Sequence, residues 1–126
     1  MEENFDCNKS GTQQCPVTTA INIIGGKWKT IILWLISNDI TRFGEMYRSL
    51  PGITKKMLTV QLRELEADGL INRKVFPVVP PKVEYSFTAT GESLRPIIEM
   101  LKNWGLEHGA EVLERRKNTQ LATEAA

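Results

Sequence analysis

The hydrophobic period of this chain changes from 3.6 residues to 2 after Gly69, and that change limits the folds open to it. Residues 43–50 and 54–68 each place apolar side chains at helical spacing, and Pro51-Gly52 separates the two segments. After Gly69, apolar and polar residues alternate on both sides of a proline-rich loop, which is the pattern of a β-hairpin. The sequence therefore predicts two short helices, joined by a tight turn and followed directly by a two-stranded ribbon.

Apolar periodicity predicts further helices on both sides of this unit. Residues 16–24 carry a one-sided apolar face, and Gly25-Gly26 ends that helix because glycine tolerates the left-handed conformation. Residues 27–37 are apolar on nearly all sides, which favours a helix at the centre of the core. Their run of isoleucines leaves a buried strand as the alternative.

A last long helix is predicted over residues 91–116. Thr90 is its expected N-cap. Pro96 lies in its second turn and predicts a mild kink, because proline has no backbone N–H to donate.

The composition fits one globular domain. Hydrophobic residues make up 41% and charged residues 25% of the 126 positions, which excludes collagen-like, disordered and disulfide-scaffold classes. The longest apolar run, residues 31–36, is shorter than a membrane span of about 20 residues, and no export signal is visible, so we expect a cytoplasmic protein. We expect a flexible arm over residues 1–14, the domain over residues 15–117 and a flexible tail over residues 118–126.

Positive charge is concentrated in the middle of the chain. The whole protein has a net charge of +1, whereas residues 27–82 hold ten Lys and Arg residues against five acids. A basic segment in a nearly neutral protein indicates a polyanionic partner for that segment.

A helix-turn-helix followed by a ribbon is the order of a winged helix-turn-helix DNA-binding module. Such a module needs a helix that fits the major groove and has polar side chains at its exposed N-terminal end. If helix 54–68 buries its leucines, its opposite face provides the predicted DNA contacts, although an ordinary solvated face is the alternative. These contacts are Thr54, Lys55, Lys56, Thr59, Val60 and Arg63.

Six further cations are predicted to contact the DNA backbone or the minor groove, where cationic side chains are favoured. The alternative for the hairpin is that it closes the core and contacts no nucleic acid. The cations are Arg73, Lys74 and Lys82 on the hairpin, with Lys27, Arg42 and Arg48 on the supporting helices.

Four stretches of the sequence closely resemble the HxlR-type winged helix-turn-helix transcription regulators of the MarR-like superfamily. The stretches are CPV, IGGKWKTIILWLI, RFGEMYRSLPGITKKMLTVQLRELEADGLINRKVFPVVPPKVEYSFTATG and LKNWG, within residues 15–105. The resemblance implies a mainly α (α+β) fold with a two-stranded β wing at residues 77–82 and terminal dimerisation helices. It also implies a homodimeric bacterial repressor or activator that binds a palindromic operator in double-stranded DNA.

The last predicted helix carries an apolar stripe that a small module cannot cover along its whole length. A partner helix would cover the stripe, and two-fold symmetry would place two recognition helices about 34–36 Å apart, one turn of DNA. The alternative is a stripe that packs wholly on its own domain. The predicted interface residues are Val17, Ile21, Leu94, Ile98, Leu101 and Trp104.

Cys15 is the candidate regulatory residue. It precedes Pro16 at the predicted N-cap of the first helix, where unpaired N–H groups and the helix dipole favour a thiolate. Both cysteines of the chain are expected to be free thiols in a reducing compartment. The resemblance implies sensing of oxidants or electrophiles by Cys15. Cys7 is a candidate resolving partner because it lies eight residues upstream, in the predicted flexible arm. The alternatives are a buried apolar role for Cys15 and an incidental thiol at Cys7.

Signatures of enzymes and metal sites are weak in this sequence. Glu107, His108 and Glu111 have only helical spacing, which favours a solvated face over a metal site. No phosphate loop, dinucleotide-binding glycine pattern or nucleophile elbow is visible. We therefore predict a DNA-binding regulator without metal or cofactor. The alternatives are a winged helix that docks a protein, and a regulator switched by a small molecule instead of cysteine chemistry.

Overall fold

The computed structural model describes residues 15–125, and its helices and strands follow the predicted order. The chain divides into a first compact unit that ends at Glu92 and a second that begins at Ser93. No helix in the described range is long and apolar enough to cross a membrane. The mainly helical fold with one two-stranded sheet confirms the predicted architecture. The elements are α1 (Pro16–Ile24), α2 (Lys29–Ser37), α3 (Phe43–Ser49), α4 (Lys55–Ala67), β1 (Ile71–Phe76), β2 (Lys82–Phe87), α5 (Ala89–Glu92) and α6 (Arg95–Ala125).

The core of the first unit is formed by α2, α3, α4 and β1. Segment 29–37 is a helix, which excludes the strand alternative, but its residue Ile31 is 40% exposed, so the helix is not buried on every side. Burial of each large aliphatic side chain contributes about 1.5–3 kcal/mol relative to exposure. The fully buried side chains of this unit are Ile32, Leu33, Met46, Leu58, Leu62, Leu65 and Ile71.

A short turn joins α3 to α4 and fixes where α4 begins. Gly52 in this turn has φ = 89°, a left-handed conformation that favours glycine because it has no Cβ. The Thr54 hydroxyl oxygen accepts a hydrogen bond of 3.0 Å from the Met57 N–H and so caps α4. The Lys29 ammonium lies 2.7 Å from the Glu64 carboxylate and ties α2 to α4.

The hairpin is joined through the middle of β2 to the segment that precedes α3. β1 and β2 pair in antiparallel register, with Arg73 opposite Tyr85. The Tyr85 N–H donates to the Thr41 carbonyl at 2.9 Å, and Arg42 forms an isolated bridge with Glu84. The helix-turn-helix and the hairpin are therefore connected by backbone hydrogen bonding as well as by the chain itself.

The C-terminal part of the chain differs from the predicted single helix over 91–116. Thr88, not Thr90, provides the cap, because its hydroxyl accepts a 3.0 Å hydrogen bond from the third amide of α5. The predicted kink at Pro96 is instead a break between α5 and α6, since proline suits the first turn of a new helix better than a helix interior. Helix α6 then continues to Ala125, so the described residues of the predicted flexible tail are helical. Residues 117–125 contain neither proline nor glycine that would stop a helix.

Candidate nucleic-acid interface

The α4 helix separates its cationic side chains from its apolar ones. Leu58, Leu62 and Leu65 are buried on its inner face. Thr59, half-buried, donates from its hydroxyl to the Lys55 carbonyl at 2.8 Å. The other residues predicted to contact DNA lie on the outer face. The exposed ones are Thr54, Lys55, Lys56, Val60 and Arg63.

Tyr47 belongs to the same surface, although it was not among the predicted DNA contacts. It is 37% exposed, and the Lys55 ammonium lies 5.6 Å from the centre of its ring. This cation–π contact holds the lysine beside α3. The sequence signal that could have identified Tyr47 is its phenol, which combines an apolar ring with a polar end and suits interfaces.

The hairpin has cations along its strands and an apolar tip. Arg73 and Lys74 are exposed, and Lys82 is half-buried. The ammonium groups of Lys74 and Lys82 lie 4.9 Å and 5.0 Å from the centre of the Phe76 ring. Val79 in the loop is fully exposed.

Glu84 engages two of the cations that the sequence assigned to DNA contacts. Its carboxylate lies 3.0 Å from Lys82 Nζ and 3.7 Å from Arg42 Nε. The hydrogen bond from Lys82 lowers the pKa of Glu84, and the nearby charges of Lys82, Arg42 and Lys74 act in the same direction against the opposing effect of desolvation. Arg42 and Lys82 are therefore partly neutralised inside the protein, which a local sequence pattern does not reveal.

The lowered pKa of Glu84 predicts a specific dependence of stability on pH. A carboxyl whose pKa falls on folding contributes stability above its ordinary pKa of 4.5, and this contribution is lost as the pH falls through the lowered folded-state value. We expect the free energy of unfolding of the wild-type protein to exceed that of Glu84→Gln at pH 7. The difference should shrink steadily below pH 4.5 in urea denaturation series. Glu114→Gln on α6 is the control, and a wild-type excess over Glu84→Gln that stayed constant down to pH 3 would contradict the prediction.

The remaining predicted cations also lie on the surface. Lys27 is exposed, with its ammonium 4.8 Å from the centre of the Trp28 ring, and Arg48 is exposed in the last turn of α3. His108 Nε2 lies 3.8 Å from a Glu107 carboxylate oxygen. Within residues 15–125, no group of three His, Cys, Asp or Glu side chains is placed to hold a metal ion.

Cys15 is 7% exposed and is disulfide-bonded, so the expectation of a free thiol is wrong for this residue. Its carbonyl accepts the Thr19 N–H at 3.0 Å at the start of α1. The other cysteine of the chain, Cys7, lies outside the described residues. The expectation failed because it rested on the compartment, which does not determine whether two sulfurs lie within bonding distance.

Exposed apolar side chains lie on α1 and on α6. Ile98 is only 3% exposed in the single chain. Leu94 is half-buried. The other predicted interface residues are more than half exposed, and these are Val17, Ile21, Leu101 and Trp104.

Comparison with known proteins gives consistent matches. The family described as HxlR-like helix-turn-helix matches residues 23–112. The chain is 47% identical over 120 residues to the uncharacterized HTH-type transcriptional regulator YybR of Bacillus subtilis strain 168, covering 95% of this chain and 93% of that protein. It is 50% identical over 96 residues to an uncharacterized HTH-type transcriptional regulator of Methanothermobacter thermautotrophicus, covering 76% of this chain and 73% of that protein.

Solved structures of regulators have the same fold. The redox regulator HypR in its reduced form matches with a TM-score of 0.73 and 49% identity, covering 80% of this chain and 99% of that one. The reduced form of the transcriptional regulator YodB from B. subtilis matches with a TM-score of 0.62 and 32% identity, covering 74% of this chain and 92% of that one.

Proposed function

We propose, because this chain belongs to the HxlR-like helix-turn-helix family of DNA-binding transcriptional regulators, that it acts as a homodimer on a palindromic operator. The observation that carries the proposal is the outer face of α4, where Lys55, Lys56 and Arg63 are exposed opposite three buried leucines. A helix of this kind can enter the major groove without loss of its own core contacts. The lysines and the arginine can donate hydrogen bonds to guanine edges or phosphates, and Thr59 can contact a thymine methyl group.

Homodimer formation is supported by the apolar surface of α1 and α6. Val17 and Ile21 on α1, and Leu101 and Trp104 on α6, each expose more than half of their surface to solvent in the single chain. Exposed apolar side chains of this size favour burial against a partner. A two-fold dimer would place two copies of α4 about 34–36 Å apart, on successive major grooves of one DNA face.

A mobility-shift assay with the DNA upstream of the protein's own gene tests this function. We expect a shift that persists in excess unrelated duplex and weakens steeply as salt rises, because phosphate neutralisation releases counterions. The same surface could instead dock an acidic protein. A shift that the unrelated duplex competes away equally well would favour that second function and would contradict sequence-specific DNA binding.

We further propose that oxidation of Cys15 switches the regulator. The disulfide at Cys15 supports this proposal, as does the likeness to HypR, which is described as a redox regulator and is known in reduced and oxidized forms. Cys7, eight residues upstream, is the candidate resolving partner within or between subunits. Formation of the S–S bond removes two protons and two electrons from two thiols, and the thiol oxidant accepts the electrons.

The switch predicts that Cys15→Ser removes the response to a thiol oxidant. Wild-type protein titrated against its operator with diamide or with dithiothreitol should show two affinities that differ about tenfold. The Cys15→Ser variant should show one affinity under both conditions. Cys7→Ser tests the resolving role, and it should give the same result if Cys7 supplies the second sulfur. A Cys15→Ser variant that keeps the full response would support a small-molecule trigger instead.

A further inference from the structure

A cleft of about 400 Å³ lies between α4 and the hairpin in the first unit. Thr59, Arg63 and Glu66 line it from α4, and Arg73 and Tyr85 line it from the two strands. Arg73 and Tyr85 face each other in the strand register, so both project from the same face of the sheet. The cleft thus brings together one arginine of the recognition helix and one arginine of the hairpin, two elements that the sequence analysis treated as separate contacts.

The two arginines are available to an external anion. Within the described part of the chain, neither guanidinium forms an ion pair, and both residues are exposed. In contrast, Arg42 and Lys82 nearby are held by Glu84. Guanidinium groups present a planar fork of N–H donors that matches the oxygen atoms of a phosphate.

The geometry of DNA determines which phosphate can reach this cleft. If α4 occupies the major groove and the hairpin approaches the adjacent minor groove, one sugar–phosphate strand separates the two grooves and must run between the two elements. We infer that Arg63 and Arg73 together hold a single phosphodiester group of that strand in the cleft between α4 and the hairpin. This inference rests on the proposed function, and it adds a shared backbone contact that couples the recognition helix to the wing.

Glu66 places a negative charge in the same cleft. Its carboxylate forms no ion pair within residues 15–125, so it repels a bound phosphodiester and lowers the affinity of the site. Glu66→Gln should therefore increase operator affinity about three- to tenfold. The same Glu→Gln substitution outside the DNA interface should leave operator affinity unchanged.

A double-mutant cycle on the full-length protein tests the shared contact. Operator affinity is measured by fluorescence anisotropy for wild type, Arg63→Ala, Arg73→Ala and the double variant, with Arg116→Ala on α6 as the control. We expect operator affinity to fall about tenfold in each single variant. Two independent contacts would give a fall of about a hundredfold in the double variant, and we expect its fall to be well below that value. The magnitude of the slope of log affinity against log salt should fall by about one in all three variants, which corresponds to the loss of one phosphate contact. Fully additive losses with a slope change of two would overturn the inference.

Neutral linkages in the DNA give a second readout that does not depend on protein folding. A set of operator duplexes carries one methylphosphonate each, at successive backbone positions. At one position per half-site, the neutral linkage should weaken operator binding by the wild-type protein. On that same duplex, Arg63→Ala and Arg73→Ala should bind with the same affinity as the wild-type protein. If no position removes the effect of both arginines, the shared contact is wrong, although operator binding itself would stand. If the wild-type protein fails to bind any operator specifically, the proposed function fails first.

Discussion

Charge reversal at Lys55 and Lys56 is expected to abolish specific operator binding, with a loss of affinity of at least about 100-fold for the double Lys→Glu variant. Each lysine lies on the exposed N-terminal half of α4 and can contact a base edge or a phosphate, an interaction of about 1–3 kcal/mol. Glutamate removes this interaction and adds repulsion from the DNA backbone. Fluorescence anisotropy with the upstream duplex at fixed salt measures the loss.

The charge reversal should leave the fold intact, because both side chains are exposed. Loss of the Lys55–Tyr47 contact should reduce the free energy of unfolding by only about 0.5–1 kcal/mol. Lys117→Glu, on the exposed surface of α6, makes one such charge reversal far along the chain and should keep operator affinity. Unchanged affinity of the Lys55/Lys56 variant would remove α4 from the DNA interface.

An acidic residue in the apolar surface of α6 is expected to convert the proposed dimer to a monomer. Leu101→Glu places a charge where Leu101, more than half exposed in the single chain, is proposed to be buried against a partner helix. Sedimentation velocity should then show a monomer. Operator affinity should fall about 100-fold or more, since a monomer engages one half-site and loses the high effective concentration of the second.

A glutamate substitution away from the proposed interface is the control. It separates loss of the dimer from a general effect of adding a negative charge to an exposed apolar position. Val75→Glu alters a half-exposed valine on β1 and should leave sedimentation as a dimer unchanged. A Leu101→Glu protein that still sediments as a dimer would show that α6 does not carry the interface.

Local pattern was sufficient to predict most of the fold. Helices α1 to α4 lie within about two residues of their predicted bounds, and both strands follow Gly69 on the two sides of the proline-rich loop as predicted. Periodicity, Thr54 as a cap and Gly52 in the turn all act over a few neighbouring residues. The outer face of α4 follows for the same reason. Once Leu58, Leu62 and Leu65 are buried, helical geometry determines which residues remain exposed.

Local sequence pattern does not predict contacts between residues that are distant in the sequence. Glu84 meets Arg42 across forty-two positions of sequence, and Arg63 meets Arg73 at one cleft, because the hairpin folds back toward α3 and α4. Competing local signals also produced an error at the last helix. Thr88 and Thr90 are equally acceptable caps by residue type, and backbone geometry selects Thr88.

The junction between the middle of β2 and the segment that precedes α3 has a consequence for regulation. The Tyr85–Thr41 hydrogen bond and the Arg42–Glu84 contact attach the wing to the helix-turn-helix, and the Lys29–Glu64 ion pair attaches α4 to α2. Displacement of the wing from the helix-turn-helix would break both contacts of β2 together. If a covalent change at Cys15 switches the protein as proposed, we therefore expect it to shift the two DNA-binding units of the dimer relative to each other without deforming either unit. An inducing signal should then alter the phasing of the two half-sites at the operator, while each unit keeps its own footprint.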